Sequence, residues 1–304
     1  MILVTGAHGF LGRAVVERLR ALEGDFVETY RQDCNLCDAE ATYDRVGNAT
    51  HVINCAALCG GLAFAGQRPA DLFRVNVTMG LNLIDACTQN KVRLVTPIAN
   101  CVYPGDASVF REEELHHGPV HSSVRAYASA RRAYVEATWA YAEQYGLDAV
   151  NVVLPNGYGP GDHFGSDRAH ALGAIIAKVM RAKLSGGRSV ELWGTGDPVR
   201  EWIYVDDMVE ALVRAVDAHP PEGDVVNVGT GRGITIRMLA ETVCSAVGWD
   251  GEIRFDASKP DGARHKTLDG TMGAKWLGWS PEVGLEDGIR RTIAWVERHP
   301  EVLG

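Results

Sequence analysis

Apolar residues in the first half of the chain form short continuous runs, and these runs alternate with longer amphipathic stretches. Continuous apolar runs are typical of strands buried on both faces, and amphipathic stretches at helical spacing are typical of helices that cover a sheet. The alternation therefore predicts a parallel sheet with helices on both faces. Strands are predicted at residues 2–5, 26–30, 51–57, 92–98 and 148–154, and helices at 11–22, 75–89 and 127–145.

The pattern changes after Asn156-Gly-Tyr-Gly-Pro160. A loop rich in glycine, histidine and aspartate covers 161–169, and a helix follows as far as about residue 184. Short strands are predicted at 190–193 and 225–228, with a helix at 206–217 between them and two helical stretches within 235–301. This order predicts an α/β fold, a doubly wound parallel sheet with a smaller C-terminal part interleaved with its last strands.

Composition and charge narrow the classes of function. The 304 residues are 46% hydrophobic and 23% charged, which is typical of a globular protein. The 30 Lys and Arg against 39 Asp and Glu give a net charge of −9, which argues against binding to nucleic acid or to an anionic membrane. The chain shows no signal-peptide pattern and no apolar run near the roughly 18 residues that span a bilayer, so we expect a cytoplasmic protein.

The cysteines predict thiols rather than disulfides or a metal site. The chain has seven of them, an odd number, and in a reducing compartment we expect all to be free. Cys34 and Cys37 have the spacing of half a zinc site, but no second pair of Cys or His stands at zinc spacing nearby. We therefore expect no structural metal.

A glycine-rich turn, Gly6-Ala-His-Gly9-Phe-Leu-Gly12, follows the first predicted strand and opens the first predicted helix. Glycine permits a tight turn and a close approach of the backbone, and the unpaired N–H groups of a helix N-terminus attract a pyrophosphate. The turn therefore predicts a Rossmann-type dinucleotide site. Residues 1–160 are the predicted dinucleotide-binding domain, completed by about 200–232, and residues 161–199 and 233–304 are the predicted substrate-binding part.

The end of the second predicted strand bears on the choice of cofactor. The sequence there is Glu28-Thr-Tyr30-Arg31. An arginine at this place suits the 2′-phosphate of NADP, whereas a carboxylate suits the ribose 2′-hydroxyl of NAD. Arg31 favours NADP, and Glu28 keeps NAD as an alternative.

Further motifs extend along nearly the whole chain. They are Asn35-Leu-Cys-Asp38, Gly60-Gly61, Asn100-Cys-Val-Tyr-Pro104, Asn156-Gly-Tyr-Gly-Pro160, Trp193-Gly-Thr-Gly-Asp-Pro-Val-Arg200, Val205-Asp-Asp207, Asn227-Val-Gly-Thr-Gly231 and Phe255-Asp-Ala-Ser-Lys-Pro-Asp-Gly262. With these motifs, the sequence resembles the extended short-chain dehydrogenase/reductase (NAD-dependent epimerase/dehydratase) family, in particular its GDP-L-fucose synthase branch.

This resemblance implies an NADP-dependent enzyme that acts on a GDP-linked sugar. Enzymes of this branch epimerise C3 and C5 of a GDP-4-keto-6-deoxyhexose and then reduce C4. The C-terminal part would hold the nucleotide sugar. Helices 75–89 and 127–145 resemble the pair through which the family forms homodimers, so a homodimer is expected by analogy.

The resemblance also assigns candidate roles to single residues. Tyr127 matches the catalytic tyrosine, and Cys101 and His170 match the epimerisation pair, with Asn100 and Arg131 beside them. The nucleotide sugar would contact Asn156, Lys178, Trp193, Arg200 and Lys266. The cofactor would contact Gly6, His8, Gly9, Phe10, Leu11, Gly12, Arg31, Asn35, Leu36, Ala56, Ala57, Arg131, Leu154, Asn156 and His170.

The chemistry needs groups that exchange protons near neutrality. A thiol and an imidazole can do so on the carbons beside a ketone, whose protons are acidified because the enolate spreads charge onto oxygen. A tyrosine can protonate the C4 alkoxide if a nearby cation lowers its pKa. One helical turn after Tyr127 the family has a lysine for this purpose, and here the residue is Arg131.

A second departure lies at Ala99, where the family has a serine or threonine that hydrogen-bonds the substrate oxygen. Asn100, or Ser122 and Ser123, are candidate replacements, although strand alternation is expected to turn Asn100 to the other face. Pro97 is also unusual in a buried parallel strand.

Because these changes cluster around the C4 chemistry, two alternatives stay open beside epimerisation with reduction. One is a nucleotide-sugar epimerase or dehydratase without net reduction. The other is a non-catalytic dinucleotide-binding protein.

Overall fold

Strands and helices alternate along the chain, and a computed structural model describes residues 1–165, 168–219 and 225–304. The strands are β1 (Ile2–Thr5), β2 (Phe26–Thr29), β3 (His51–Asn54), β4 (Arg93–Ala99), β5 (Ala149–Leu154), β6 (Asn156–Tyr158), β7 (Ser189–Trp193), β8 (Val199–Tyr204), β9 (Val226–Asn227), β10 (Gly233–Thr235), β11 (Glu252–Asp256) and β12 (His265–Lys266). The α-helices are α1 (Phe10–Ala21), α2 (Ala39–Val46), α3 (Leu62–Gln67), α4 (Pro69–Asn90), α5 (Arg125–Tyr145), α6 (Ala171–Ser185), α7 (Val205–Asp217), α8 (Ile236–Val247), α9 (Thr271–Leu277) and α10 (Leu285–Arg298).

The central sheet has six parallel strands in the order β2-β1-β3-β4-β5-β9. The chain moves from β1 to β2 on one side and then to β3 on the other, so the order reverses between β1 and β3. In sheets of this kind, ligands bind beyond the carboxyl ends of the strands at such a reversal. The predicted α/β, Rossmann-type fold is confirmed.

Alternate residues of the central strands are buried on opposite faces of the sheet. Val4 and Ile53 belong to one apolar cluster, which includes residues of α1 and α7, and their neighbours Leu3 and Val52 belong to a second, which includes residues of α4 and α5. Because neither face meets water, the strands read as continuous apolar runs.

Smaller sheets occupy the second half of the chain. Strand β8 pairs with β6 and β12 in parallel and with β10 antiparallel, and β7 pairs with β11. Strands β6, β8, β10, β11 and β12 and helices α2 and α3 are absent from the predicted elements, since most are too short to show a period. Three helices, α8, α9 and α10, lie within 235–301, where two helical stretches are predicted. Helix α6 matches its prediction, and residues 166–167 of the predicted loop 161–169 lie outside the described residues.

Pro97 stands in β4 opposite Val152 of β5. The pairing of β4 with β3 ends two residues earlier, at Val95 opposite Ile53. On that side the strand has no ladder partner at Pro97, so the missing N–H of proline costs the sheet nothing there.

Two expectations about the whole chain can be compared with the structure. All seven cysteines are free thiols, as predicted. Within the described residues, none of the helices is both long enough and apolar enough to cross a membrane.

Candidate active site

The glycine-rich turn between β1 and α1 leaves no room for a side chain at Gly6 or at Gly12. Gly6 has φ +64°, and a β-carbon on it would lie 2.7 Å from the backbone nitrogen of Ala56. A β-carbon on Gly12 would lie 2.2 Å from the carbonyl oxygen of Gly6. Gly9 precedes α1 and offers no side-chain cap, so the first N–H groups of the helix are left for a ligand. The turn fits the pyrophosphate of a dinucleotide.

The side chains at the end of β2 distinguish between NADP and NAD as the cofactor. The Glu28 carboxylate forms an ion pair with Arg20 and accepts a hydrogen bond from the Tyr30 hydroxyl. The His8 ring stacks on Tyr30 with centroids 3.5 Å apart, and Arg31 is exposed next to this pair. Since Glu28 is already engaged while Arg31 faces solvent, the arrangement suits a 2′-phosphate better than a 2′-hydroxyl.

The other predicted cofactor residues lie near the same edge of the sheet. Phe10 and Leu11 begin α1, and Asn35 and Leu36 lie in the loop between β2 and α2. Ala56 and Ala57 follow β3, Leu154 ends β5, and Asn156 begins β6.

Tyr127 and Arg131 lie one turn apart on α5, as their spacing predicts. The Arg131 guanidinium is buried, lies 5.1 Å from the centre of the Tyr134 ring, and donates a hydrogen bond to the Pro97 carbonyl at 2.7 Å. Burial raises the pKa of the Tyr127 hydroxyl, and the charge of Arg131 opposes this only in part. The condition that a nearby cation lowers the tyrosine pKa is not met, because desolvation outweighs the charge of Arg131.

Cys101 lies in a 3-10 turn, Asn100–Val102, directly after β4. Burial raises the pKa of its thiol, and the nearby Lys266 and Arg131 oppose that shift. His170 precedes α6 and is reached by solvent, but the atoms crowded around it and the charges of His163 and Arg168 lower its pKa. At neutral pH the structure therefore favours a protonated thiol and a neutral imidazole.

Ala99 and Asn100 do not belong to one continuous strand. Strand β4 ends at Ala99, so Asn100 starts the 3-10 turn and strand alternation does not set its orientation. Its side chain is buried, and its Nδ2 has no hydrogen-bond partner within the described protein. Strand alternation, the basis of the expectation about Asn100, therefore does not apply to this residue, and Ala99 leaves no hydroxyl at its own position.

Two residues that the sequence did not predict as site residues, Cys59 and Arg168, lie in this region. Cys59 precedes the Gly60-Gly61 motif, and its pKa is influenced by the charges of Arg168 and Arg131. Arg168 contacts the carbonyl oxygen of Cys59 at 3.3 Å. The chain before His170 is thus packed against the chain before α3. The Gly60-Gly61 motif was the available signal in the sequence, but it does not show which segment it contacts.

A pair of cations lies on adjacent strands of the smaller sheet. Lys266 of β12 stands directly opposite Arg200 of β8. Burial lowers the pKa of both groups, that of Arg200 to about 10, and the Asp261 carboxylate partly opposes the shift of Arg200. The Arg200 charge repels that of Lys266 and lowers the Lys266 pKa further. A bound anion would remove this repulsion, so the pair is suited to a diphosphate.

The remaining predicted substrate residues differ in what they contact. The Asn156 side chain donates a hydrogen bond to the Glu201 carbonyl at 2.8 Å, next to Arg200. Trp193 is 48% exposed, with the Lys259 ammonium 5.9 Å from its ring centre. The Lys178 ammonium donates a hydrogen bond to the Glu191 carbonyl of β7 at 2.7 Å, so it is engaged with the sheet.

Comparison with known proteins agrees with this geometry. The model of the NAD dependent epimerase/dehydratase family matches residues 2–229. GDP-L-fucose synthase of Escherichia coli (strain K12) is 35% identical over 308 residues, which cover 97% of this chain and 95% of that protein.

Solved structures extend the likeness to three dimensions. A GDP-6-OMe-4-keto-L-xylo-heptose reductase from Campylobacter jejuni has a TM-score of 0.91 at 26% identity, covering 98% of this chain and 97% of that one. A GDP-L-fucose synthetase from Naegleria fowleri bound to NADP has a TM-score of 0.87 at 26% identity, covering 99% and 94%. The chain therefore belongs to the NAD dependent epimerase/dehydratase family.

Proposed function

We propose that the chain is an NADP-dependent enzyme that epimerises and reduces a GDP-linked 4-keto-6-deoxyhexose. The observation that carries this proposal is that Cys101 lies close to Tyr127 and Arg131 and also to Lys266, which stands opposite Arg200. A diphosphate on the cations would set the attached sugar beside the thiol and the phenol. Relatives named GDP-L-fucose synthase and a solved GDP-sugar reductase support the choice of substrate.

Epimerisation needs a base on one face of the sugar and an acid on the other. The lowered pKa of His170 keeps its imidazole neutral, so it can remove a proton from a carbon beside the ketone. The raised pKa of Cys101 keeps its thiol protonated, so it can return a proton to the other face. The enolate that forms between these steps carries its charge on the C4 oxygen, where the Tyr127 hydroxyl can donate a hydrogen bond.

Reduction of C4 uses the same tyrosine in a second role. The chemistry that NADPH supplies when bound is a hydride for C4. Tyr127 gives its proton to the alkoxide oxygen, and the nearby Arg131 charge stabilises the phenolate that remains. The Gly6–Gly12 turn would hold the pyrophosphate, and Arg31 the 2′-phosphate.

Epimerisation without reduction is the second candidate, and one observation favours it. The Arg131 guanidinium is committed to the Pro97 carbonyl and the Tyr134 ring, and Ala99 provides no hydroxyl for the C4 oxygen. Both changes weaken the protonation of C4 and leave Cys101 and His170 in place.

The assembly that we propose is a homodimer formed through α4 and α5. These helices pack against each other, and each exposes large apolar side chains, among them Leu81 at 40% and Trp139 at 53%. Light scattering on the eluting protein should give twice the chain mass, and Trp139→Glu should shift it toward the monomer. We place the enzyme in the cytoplasm, where seven free thiols would stay reduced.

Consumption of NADPH tests the proposed reaction. With GDP-4-keto-6-deoxymannose, the absorbance of NADPH should fall in proportion to the sugar added, and a UDP-linked 4-keto-6-deoxysugar should give a much slower loss. No loss with the GDP sugar, while solvent deuterium still enters it, would select the epimerase without reduction.

A further inference from the structure

His121 and Ser123 lie beside the reacting centre but belong to none of the motifs of the sequence. Ser123 is in the 3-10 turn Ser122–Val124 that leads into α5, four residues before Tyr127. A β-carbon on Gly105 would lie 2.6 Å from the Cα of His121, so the segment that holds the histidine packs tightly on the chain that follows Cys101.

The hydrogen bonds between His121 and Ser123 show which of their atoms carry protons. The backbone N–H of Ser123 donates to Nδ1 of His121 at 3.3 Å, so this nitrogen carries no proton. The Ser123 hydroxyl oxygen lies 2.8 Å from the same nitrogen and therefore donates its own hydrogen to it. The serine oxygen is left with its lone pairs, and its next partner must be a donor.

The charges around His121 keep it in this state. Burial lowers the pKa of its imidazole, and the Lys266 and Arg200 charges lower it further. A neutral imidazole continues to accept at Nδ1, and the Ser123 oxygen continues to act as an acceptor.

Ser123 also faces the region where the sugar would lie. A β-carbon on Gly262 would be 3.8 Å from the Ser123 hydroxyl oxygen and 3.4 Å from Nη2 of Arg200. Ser123 and Tyr127 also line the same pocket of about 540 Å³, which lies between α3 and the start of α5. The serine is thus between the diphosphate cations and the tyrosine that would meet C4.

We propose that Ser123, positioned by His121, accepts a hydrogen bond from the substrate hydroxyl next to the reacting ketone and so selects sugars that carry it. The proposal rests on the proposed function. The ketone oxygen itself only accepts hydrogen bonds, so it cannot be the partner of Ser123. In a GDP-4-keto-6-deoxyhexose, C5 carries the methyl group, so the neighbouring hydroxyl is the one on C3.

The test compares this substrate with its 3-deoxy analogue, using consumption of NADPH by the whole enzyme. Ser123→Ala should lower kcat/KM for the hydroxylated sugar about 10- to 100-fold and leave that for the analogue within about 2-fold, since one hydrogen bond is lost only where the hydroxyl exists. Ser123→Thr, which keeps an oxygen, should restore most of the rate. Ser245→Ala, at an exposed serine of α8, is the matched control and should change neither value.

His121 has its own pair of variants as a positioning residue. His121→Phe removes the acceptor and should reproduce the selective loss, whereas His121→Asn keeps an acceptor oxygen and should retain the preference for the hydroxylated sugar. Equal losses on both sugars for Ser123→Ala and His121→Phe would show a structural role and overturn the proposal, as would no loss at all.

Binding separates this proposal from the proposed function. If the unmodified enzyme consumes NADPH with neither sugar, the proposed function fails, and affinities for GDP-mannose and GDP still decide the role of Ser123. Ser123→Ala should weaken GDP-mannose binding about 10-fold and leave GDP binding unchanged. Unchanged binding of GDP-mannose would contradict the contact.

Discussion

The turn after β1 and the turn after β4 lie at the same edge of the sheet, but they are built differently. We assign the first to hold its ligand with backbone, and Gly6 and Gly12 are needed there because a β-carbon would collide with neighbouring backbone. We assign the second to work through side chains, with Ala99 at the end of β4 and Arg131 of α5 near it, where the resemblance to the family implies a serine or threonine and a lysine. A backbone cradle tolerates little change, whereas proton-transfer groups can be exchanged when a neighbour takes over part of the task.

The largest effect should come from the reacting turn. Cys101→Ser should slow the exchange of solvent deuterium into the sugar about 10²- to 10⁴-fold, because a hydroxyl is a far weaker acid than a thiol. NADPH binding should be unchanged, since it depends on the other turn. Mass spectrometry of the recovered sugar gives the exchange rate, and Cys37→Ser, a thiol in the loop after β2, is the matched control. Normal exchange in Cys101→Ser would remove the thiol from the mechanism.

A change in the cofactor turn should weaken NADPH binding, the property that Cys101→Ser should leave unchanged. Gly12→Ala would place a β-carbon 2.2 Å from the Gly6 carbonyl oxygen, so NADPH affinity should fall about 100-fold or more, as measured by fluorescence titration. Gly284→Ala is the control, because a β-carbon there meets nothing within 4 Å. Thermal melting checks that both variants fold. Unchanged NADPH affinity in a folded Gly12→Ala protein would contradict the assigned cradle.

The pH dependence of deuterium exchange tests the protonation states. The pKa of His170 is lowered from 6.5, so its neutral, basic form should persist below that pH and be lost only as the pH falls through the lowered value. The pKa of Cys101 is raised from 9.0, so its thiol should persist above that pH. Exchange should therefore stay above half its maximum from pH 6.5 to pH 9.0. A midpoint within this interval would contradict the assignment.

The smallest effect concerns the altered cation. Arg131→Lys should raise the rate of NADPH consumption about 3-fold. A lysine is not committed to the Pro97 carbonyl, so it can approach the tyrosine and the cofactor. Deuterium exchange should change less than reduction. Arg290→Lys, at an exposed arginine of α10, is the control. An unchanged or lower reduction rate would show that the arginine is not what limits the C4 step.

The sequence predicted the parts of the molecule that depend on local pattern. The strands of the central sheet, the Gly6–Gly12 turn and the shared helix face of Tyr127 and Arg131 follow from spacing. The raised pKa of Tyr127 depends on burial by segments distant in the chain, which spacing does not contain. The strand predicted to end at residue 98 continues to Ala99, and Asn100 then begins a 3-10 turn that the apolar run does not predict.

The most direct test determines where solvent deuterium and hydrogen from NADPH lie in the product of one reaction. The enzyme is incubated with GDP-4-keto-6-deoxymannose and NADPH in deuterated water, and the product is examined by mass spectrometry and NMR. We predict solvent deuterium at C3 and C5, hydrogen from NADPH at C4, and one NADPH consumed for each product molecule. A product with hydrogen from NADPH at C4 but no solvent deuterium at C3 or C5 would contradict the assigned roles of Cys101 and His170.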